Sequence, residues 1–181
     1  MSKSFLTFIF LLLVVCVPSN AQRTMKGQPF AGAAFIWSGA PSGEIRAGQY
    51  QGQFLWDSAL RATSFTKPLS TGDTLECLDI ALSATWQWRL VSDRSRIACL
   101  YAGAGAFAGY EVLDPFRHLP ETVELGFDRG SIIYGVLPVM SAEIFFSRRC
   151  ALVLSASAPL TFNSPVGVFR WDVSAGIRFD L

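Results

Sequence analysis

The last twelve residues, RWDVSAGIRFDL (170–181), alternate between two kinds of surface without a fault. Trp171, Val173, Ala175, Ile177, Phe179 and Leu181 form one set. Arg170, Asp172, Ser174, Gly176, Arg178 and Asp180 form the other. Successive side chains of a strand point to opposite faces, so the segment carries an apolar stripe on one side and four charges on the other. A soluble sheet with water behind it has this pattern. So does the closing strand of an outer-membrane barrel, apolar toward lipid and polar toward the lumen.

Residues 75–91 repeat the pattern over a greater length. Leu78, Ile80, Leu82, Ala84, Trp86, Trp88 and Leu90 share one face; Asp79, Ser83, Thr85, Gln87 and Arg89 share the other with Cys77 and Ala81. Strands of soluble proteins are usually about 3–10 residues long. At about 3.3 Å per residue and a tilt near 40°, Leu78 to Trp88 rises on the order of 25 Å, the height of a barrel's apolar band. The membrane reading is therefore the better one.

The alternation continues on both sides. Residues 92–95 form a polar turn, and 96–111 a strand with Ala98, Leu100, Ala102, Ala104, Ala106 and Ala108 opposite Gly103, Gly105, Gly109, Tyr101 and Phe107. A long loop over 112–129 follows. Residues 131–147 place Tyr134, Val136, Met140, Ala142, Ile144 and Phe146 opposite Glu143, with Pro138 tolerable only at a bulge or an unpaired position. Arg148-Arg149 makes a minimal turn, 150–162 alternates again, and 163–167 turns into the closing strand. Upstream, 29–38 reads as a first strand, 40–43 as a turn, and 45–56 as a second strand with Gln49, Gln51 and Gln53 in phase. Residues 59–65 read as a third strand and 67–74 as a loop. The total is eight strands joined by local turns, in an even-numbered up-and-down array.

Two further features agree with a membrane barrel. The fourth and sixth connections are short and the fifth is the longest, as expected for short periplasmic turns and longer extracellular loops. Trp37, Trp56, Trp86, Trp88 and Trp171, with Tyr110, Tyr134 and Phe179, fall near predicted strand ends, where amphipathic rings form girdles at the two membrane boundaries. A β-sandwich core would scatter its tryptophans along the strands. Trp86 and Trp88 resemble a sugar-stacking pair, but both share the lipid-facing phase, so the girdle reading is preferred.

Composition sharpens this picture. The chain is 51% hydrophobic and 16% charged, with mean hydropathy +0.35. Beyond the N-terminus no run of about 20 apolar residues supplies a spanning helix. Residues 1–21 read as a cleaved signal peptide: Lys3, an apolar stretch from Phe5 to Val17, and Ser19-Asn20-Ala21 before the cut. A lipoprotein signal acylated at Cys16 is disfavoured by the bulky Val15 before it. The barrel domain then spans 22–181. A net charge of +1 neither favours nor excludes nucleic acid.

The odd number of cysteines after cleavage, Cys77, Cys99 and Cys150, leaves at least one thiol unbridged. Cys99 and Cys150 fall near one end on strands two apart, roughly 9.6 Å, and Cys77 near the other end, so no disulfide is expected. The single histidine, His118, has no cysteine nearby in sequence, so no metal is expected.

From Gln87 onward the chain resembles the TraO family of conjugative-transposon proteins of the Bacteroides group. The resemblance rests on RLVSDRSR (89–96), AGAGAFAGYEVL (102–113), GSIIYGVLPVMSAEIFFSRR (130–149) and SPVGVFRWDVSAGIRF (164–179), and QRTMKGQPFAGAAF (22–35) is compatible. Residues 40–74 match poorly and look shortened. None of these strings is a catalytic signature. Membership would imply an exported, outer-membrane component of a conjugative DNA-transfer apparatus.

The inward charges Asp79, Arg89, Glu143, Arg170, Asp172, Arg178 and Asp180 include both signs. Eight strands enclose a lumen just wide enough for side chains, and buried charges must pair. They are expected to form a salt-bridge network that plugs the lumen, with a narrow pore as the alternative. His118, Glu121 and Ser131 are the residues a lipid-modifying hydrolase could use, and a solvated loop histidine is the commoner case, so no catalysis is expected. The sequence thus predicts an all-β, eight-stranded antiparallel up-and-down transmembrane β-barrel in the outer membrane, with periplasmic termini and a scaffold role in conjugation. The alternative is adhesion or ligand binding through its extracellular loops. Expected partners are outer-membrane lipid and other conjugative transfer proteins, with no direct nucleic-acid binding, no small-molecule substrate and no cofactor.

Overall fold

The computed structural model describes residues 27–38, 40–68, 74–93, 97–113, 130–147, 149–165, 167 and 169–181. The expected signal peptide, His118, Glu121 and nearly all of the 112–129 loop lie outside these residues. Nine strand segments follow in order: β1 (Pro29–Trp37), β2 (Pro41–Gln51), β3 (Phe54–Pro68), β4 (Thr74–Ser92), β5 (Ala98–Leu113), β6 (Gly130–Phe145), β7 (Cys150–Ser157), β8 (Leu160–Thr161) and β9 (Asp172–Asp180). Every pairing is antiparallel. Strands β1 to β7 pair in chain order, β6 also pairs β8, β7 pairs β9, and β9 returns to β1. The barrel is closed, with β7 and β8 together forming one of its eight walls.

The stagger of that closure can be followed through the partners. Trp37 faces Val173, then Ala156, Met140, Ala102, Trp88, Phe54 and Gln51. The β1–β2 register, extended by two residues, returns to β1 at Gly27, whose amide donates to the Tyr50 carbonyl. The circuit arrives ten residues from its start (37 to 27). Ten residues across eight strands correspond to a strand tilt of about 40°.

Burial alternates as the pattern requires. Along β4, Leu75, Cys77, Asp79, Ala81, Ser83, Thr85 and Gln87 are buried, while Ile80, Leu82, Trp86 and Trp88 are exposed. Along β9, Asp172, Ser174, Arg178 and Asp180 are buried between exposed Val173, Ile177 and Phe179. The apolar set faces outward and the polar set faces the lumen. Trp37, Tyr110, Tyr134 and Trp171 stand outward at one end, here called the loop end; Trp56, Trp86, Trp88 and Phe179 stand outward at the turn end. At the tilt above, the two belts are separated by on the order of 20 Å.

The N-terminal half corrects the sequence reading. The expected strand over 45–56 is cut by a two-residue turn: Gln51 pairs with Phe54, and Gly52 takes φ 73° between them. A left-handed backbone position of this kind is where glycine is favoured. The hairpin shifts everything around it. The expected turn at 40–43 is mostly strand, since pairing with β1 begins at Pro41. The short third strand over 59–65 is the centre of the 15-residue β3. Gln49 and Gln51 lie in the outward phase and Gln53 falls in the turn.

The C-terminal half departs in one place. The strand expected over 150–162 is broken at Ala158-Pro159. Ala158 donates its amide to the Pro138 carbonyl at 3.1 Å, but Pro138 has no N–H to return. Pro159 lacks a donor one residue later, so the ladder lapses where the two prolines meet. Beyond the gap the register is kept, with Leu160 opposite Val136 and bridged to Phe169.

Placement of a charge on the outward face tests the orientation of the strands. Ala104 faces outward at mid-strand of β5 and Ala98 faces outward at its turn end. Ala104→Arg should destabilise the folded barrel by about 2–4 kcal/mol and Ala98→Arg by about 1 or less. Urea unfolding in lipid vesicles measures both; equal costs would mean that the apolar band does not lie across the middle of β5.

Candidate functional site: the lumen

The lumen is layered. At the turn end Phe30, Tyr50, Leu55, Cys99, Tyr101, Phe145 and Ala151 pack into one cluster, each no more than 3% exposed. Toward the loop end two smaller apolar clusters form, one from Leu75, Cys77 and Leu113 with Phe65 against them, the other from Ala81, Phe107, Ile133 and Leu137. Between the ends runs a chain of charges.

Period-two placement on five strands builds that chain. β2 contributes Glu44 and Arg46, β3 contributes Asp57 and Arg61, β4 Asp79, β6 Glu143, and β9 Asp172 and Arg178, with Arg170 just before β9. From the loop end, Asp79 meets Arg170 at 2.6 Å, Arg170 meets Asp172 at 3.0 Å, and Asp172 meets Arg61 at 2.7 Å. Arg61 reaches Glu44 at 3.5 Å, Glu44 pairs with Arg46, and Arg46 reaches Asp57 at 3.5 Å. Asp57 lies 3.7 Å from Arg178, which pairs with Glu143. Five carboxylates and four guanidiniums alternate in sign along the whole path. From Asp79 to Glu143 the Cα positions descend on the order of 25 Å at this tilt, the depth of the apolar band.

The lower end of the chain is the tightest. Arg178 is 0% exposed. Its guanidinium stands 4.0 Å over the Phe30 ring and donates to the Tyr50 hydroxyl at 3.2 Å, and that hydroxyl donates to Glu143 at 3.0 Å. Hydroxyls and amides line the facing wall: Ser141 donates to Gln87 at 2.6 Å, and Ser155 and Ser174 share a hydrogen bond at 2.7 Å. A cavity of about 30 Å³ lies in the lumen, lined by Glu44, Arg46, Asp57 and Arg61 on β2 and β3, by Ser83 and Thr85 on the neighbouring β4, and by Ser174 on β9. That is room for about two water molecules in a polar setting. A second cavity of about 10 Å³ lies nearer the loop end, beside Arg61, Asp79 and Arg170.

Of the residues singled out in the sequence, Asp79, Glu143, Arg170, Asp172 and Arg178 come together in this chain. Arg89 and Asp180 lie in the lumen phase at the turn end, and among the described residues no salt bridge joins them to it. Sequence reasoning missed Glu44, Arg46, Asp57 and Arg61. Their signal was present, since GEIR and DSALRAT alternate charged and apolar positions, but the misplaced turn put them out of phase. Glu111, also missed, lies opposite Asp79 and accepts from Ser164 at 2.9 Å, tying the segment before β9 to the rim. Ser131 sits at the loop end of β6. All three described cysteines are thiols, Cys77 at the loop end and Cys99 and Cys150 at the turn end. Outside, Trp86 and Trp88 pack on Phe54, with ring centroids 5.4 and 4.6 Å away.

Kinship supplies the biological setting for this layered lumen. The family model for conjugative transposon protein TraO matches residues 73–181, more than half of the chain. The chain belongs to the TraO family. No curated protein matches its sequence. Among solved structures, this TraO-family barrel is similar to the outer membrane protein OprG from Pseudomonas aeruginosa (TM-score 0.57, 9% identity, covering 91% of this chain and 99% of that one). It is also similar to the N-terminal β-barrel domain of Pseudomonas aeruginosa OprF (0.51, 9%, 86% and 98%) and to Neisserial surface protein A (0.50, 20%, 85% and 95%). At such identities the likeness is one of fold, that of small outer-membrane barrels.

Removing one member of the chain should cost far more than removing a neutral pair. Arg178→Ala strands Glu143 and leaves Asp57 with Arg46 alone, and is expected to destabilise by about 3–5 kcal/mol. Replacing Arg178 and Glu143 together with Met and Leu should cost much less than the single change. The urea midpoints of the two variants, refolded side by side, check this; similar losses would mean that the pair is not the coupling unit.

Proposed function

We propose that this chain is a structural, non-catalytic component of the outer-membrane part of a conjugative DNA-transfer apparatus. Family membership supplies the process, and the filled lumen carries the choice of role. The two cavities together offer only a few water-sized spaces. A nucleic-acid strand does not fit through a barrel closed in this way, so the wall, rim and loops are what remain for contact with other transfer proteins. The reading needs no cofactor and no small-molecule substrate.

Orientation follows from the connections. The turn-end links span 52–53, 93–97 and 146–149, and both barrel termini lie at that end; the 16-residue connection 114–129 is at the other. Short turns and termini belong in the periplasm and long loops outside. An exported chain reaching the outer membrane after cleavage at Ala21 fits this arrangement.

In-frame deletion of the gene from a donor strain should lower conjugation frequency by orders of magnitude, with recovery on complementation. Complementation by a version in which 114–129 is replaced by a short turn separates two roles. Full recovery supports assembly through the barrel, whereas loss of donor–recipient aggregation together with transfer supports adhesion through the loop. Unchanged transfer after full deletion would remove the proposal.

A further inference from the structure

The two ends of the lumen are closed differently. At the loop end the Arg170 side chain is 22% exposed and lies 4.7 Å over the Phe65 ring. Below it the small cavity, lined by Arg61, Asp79 and Arg170 on its polar side and by Ala81, Phe107 and Ile133 on its apolar side, shares Arg61 as a lining residue with the larger one. At the turn end the Arg178–Glu143 pair is 0% exposed and the rings around it are nearly as dry. Above that level Glu44, Arg46, Asp57 and Arg61 line the larger cavity, and Asp79 and Arg170 line the smaller one. Everything at that level is packed.

Arg178 also has somewhere else to go. Its Nη2 is 3.7 Å from Asp57, which lines the larger cavity, while its Nη1 pairs with Glu143 on the opposite wall. A guanidinium held between two carboxylates has two discrete pairings rather than a continuum, the kind of element on which a switch is built. Moving fully to Asp57 would draw it off the Phe30 ring and the Tyr50 hydroxyl and open the packed layer. Among the described residues the lumen phase carries seven carboxylates (the five of the chain, Glu111 and Asp180) against five guanidiniums (the four of the chain and Arg89).

We propose that the barrel contains a narrow hydrated path for small cations, shut at one level by the Arg178–Glu143–Tyr50 knot and the rings packed on it. Shift of Arg178 from Glu143 to Asp57 converts the plug into a channel. This holds or fails independently of the scaffold role, which transfer frequency tests.

Planar-bilayer recording of the refolded barrel in potassium chloride tests it. The native barrel should be silent. Glu143→Gln, which keeps the acceptor for Tyr50 but removes the charge holding Arg178, should give discrete openings. Phe145→Ala, which thins the same layer without stranding a charge, should do the same, with a reversal potential displaced toward that of potassium in a salt gradient. Leu113→Ala, in the loop-end cluster, should stay silent. Each preparation is first shown to be folded by its heat-dependent gel mobility. Steady conductance of the native barrel, silence of both folded turn-end variants, or equal openings in Leu113→Ala would each overturn the proposal.

Discussion

Closure with a ten-residue stagger is the constraint from which the rest of the molecule follows. In hydrocarbon every backbone donor and acceptor needs a partner within the protein, and only a sheet without edges supplies that. Once eight strands close at this tilt, the interior is about as wide as the side chains that fill it. Polar residues pointing inward therefore meet one another, and solvent reaches few of them. The alternating chain from Asp79 to Glu143 is the consequence. Each inner carboxylate is shared by two guanidiniums, and most of the guanidiniums reach to another wall.

Such a chain is weak evidence for stability, because the cost of desolvating paired charges often matches what their attraction returns. Its stronger effect is on register. Arg61 on β3 binds Glu44 on β2 and Asp172 on β9, and Arg178 on β9 binds Asp57 on β3 and Glu143 on β6. A slip of one residue in any of these strands would turn its charges toward lipid and its apolar side chains inward. The glycines of β5 serve the same end sterically. A Cβ on Gly105 would stand 1.9 Å from the Ala84 carbonyl, so β4 and β5 approach in a way that a larger inward residue would prevent. Phe107, two residues on, then fills the lumen from the same strand.

How much of this was legible depended on contrast between the two faces. β4 and β9 set branched and aromatic residues against charges, and their boundaries in the sequence fall within one or two residues of the observed ends. β2 lacks that contrast: Ala47, Gly48, Gln49 and Gln51 separate the faces poorly, and the run of alternating glutamines continues across the turn. Gly52 was the available marker, but one glycine among alternating residues reads equally well as part of a strand. The displaced hairpin hid four of the nine charges in the chain. The break at Ala158-Pro159 was obscured for another reason, since Pro138 and Pro159 are 21 residues apart and their opposition exists only after β6 and the β7–β8 wall pair.

The boundary of the family match divides the chain of charges. Residues 73–181 cover β4 to β9, which hold Asp79, Glu143, Arg170, Asp172 and Arg178. The remaining four members of the chain, Glu44, Arg46, Asp57 and Arg61, lie outside it on β2 and β3. Within the matched part alone three carboxylates face two guanidiniums, in two pieces that do not touch: Asp79–Arg170–Asp172 at the top and Arg178–Glu143 at the bottom. The four outside residues are neutral in sum and connect the pieces, through Arg61 to Asp172 and through Asp57 to Arg178. The β2–β3 hairpin is thus the bridge of the lumen. Its outward positions need only face lipid, but its four inward charges are tied by distance and sign to one another and to Asp172 and Arg178. A substitution in the hairpin that changes one of those charges has to be answered across the barrel, and one that does not is answered by lipid alone.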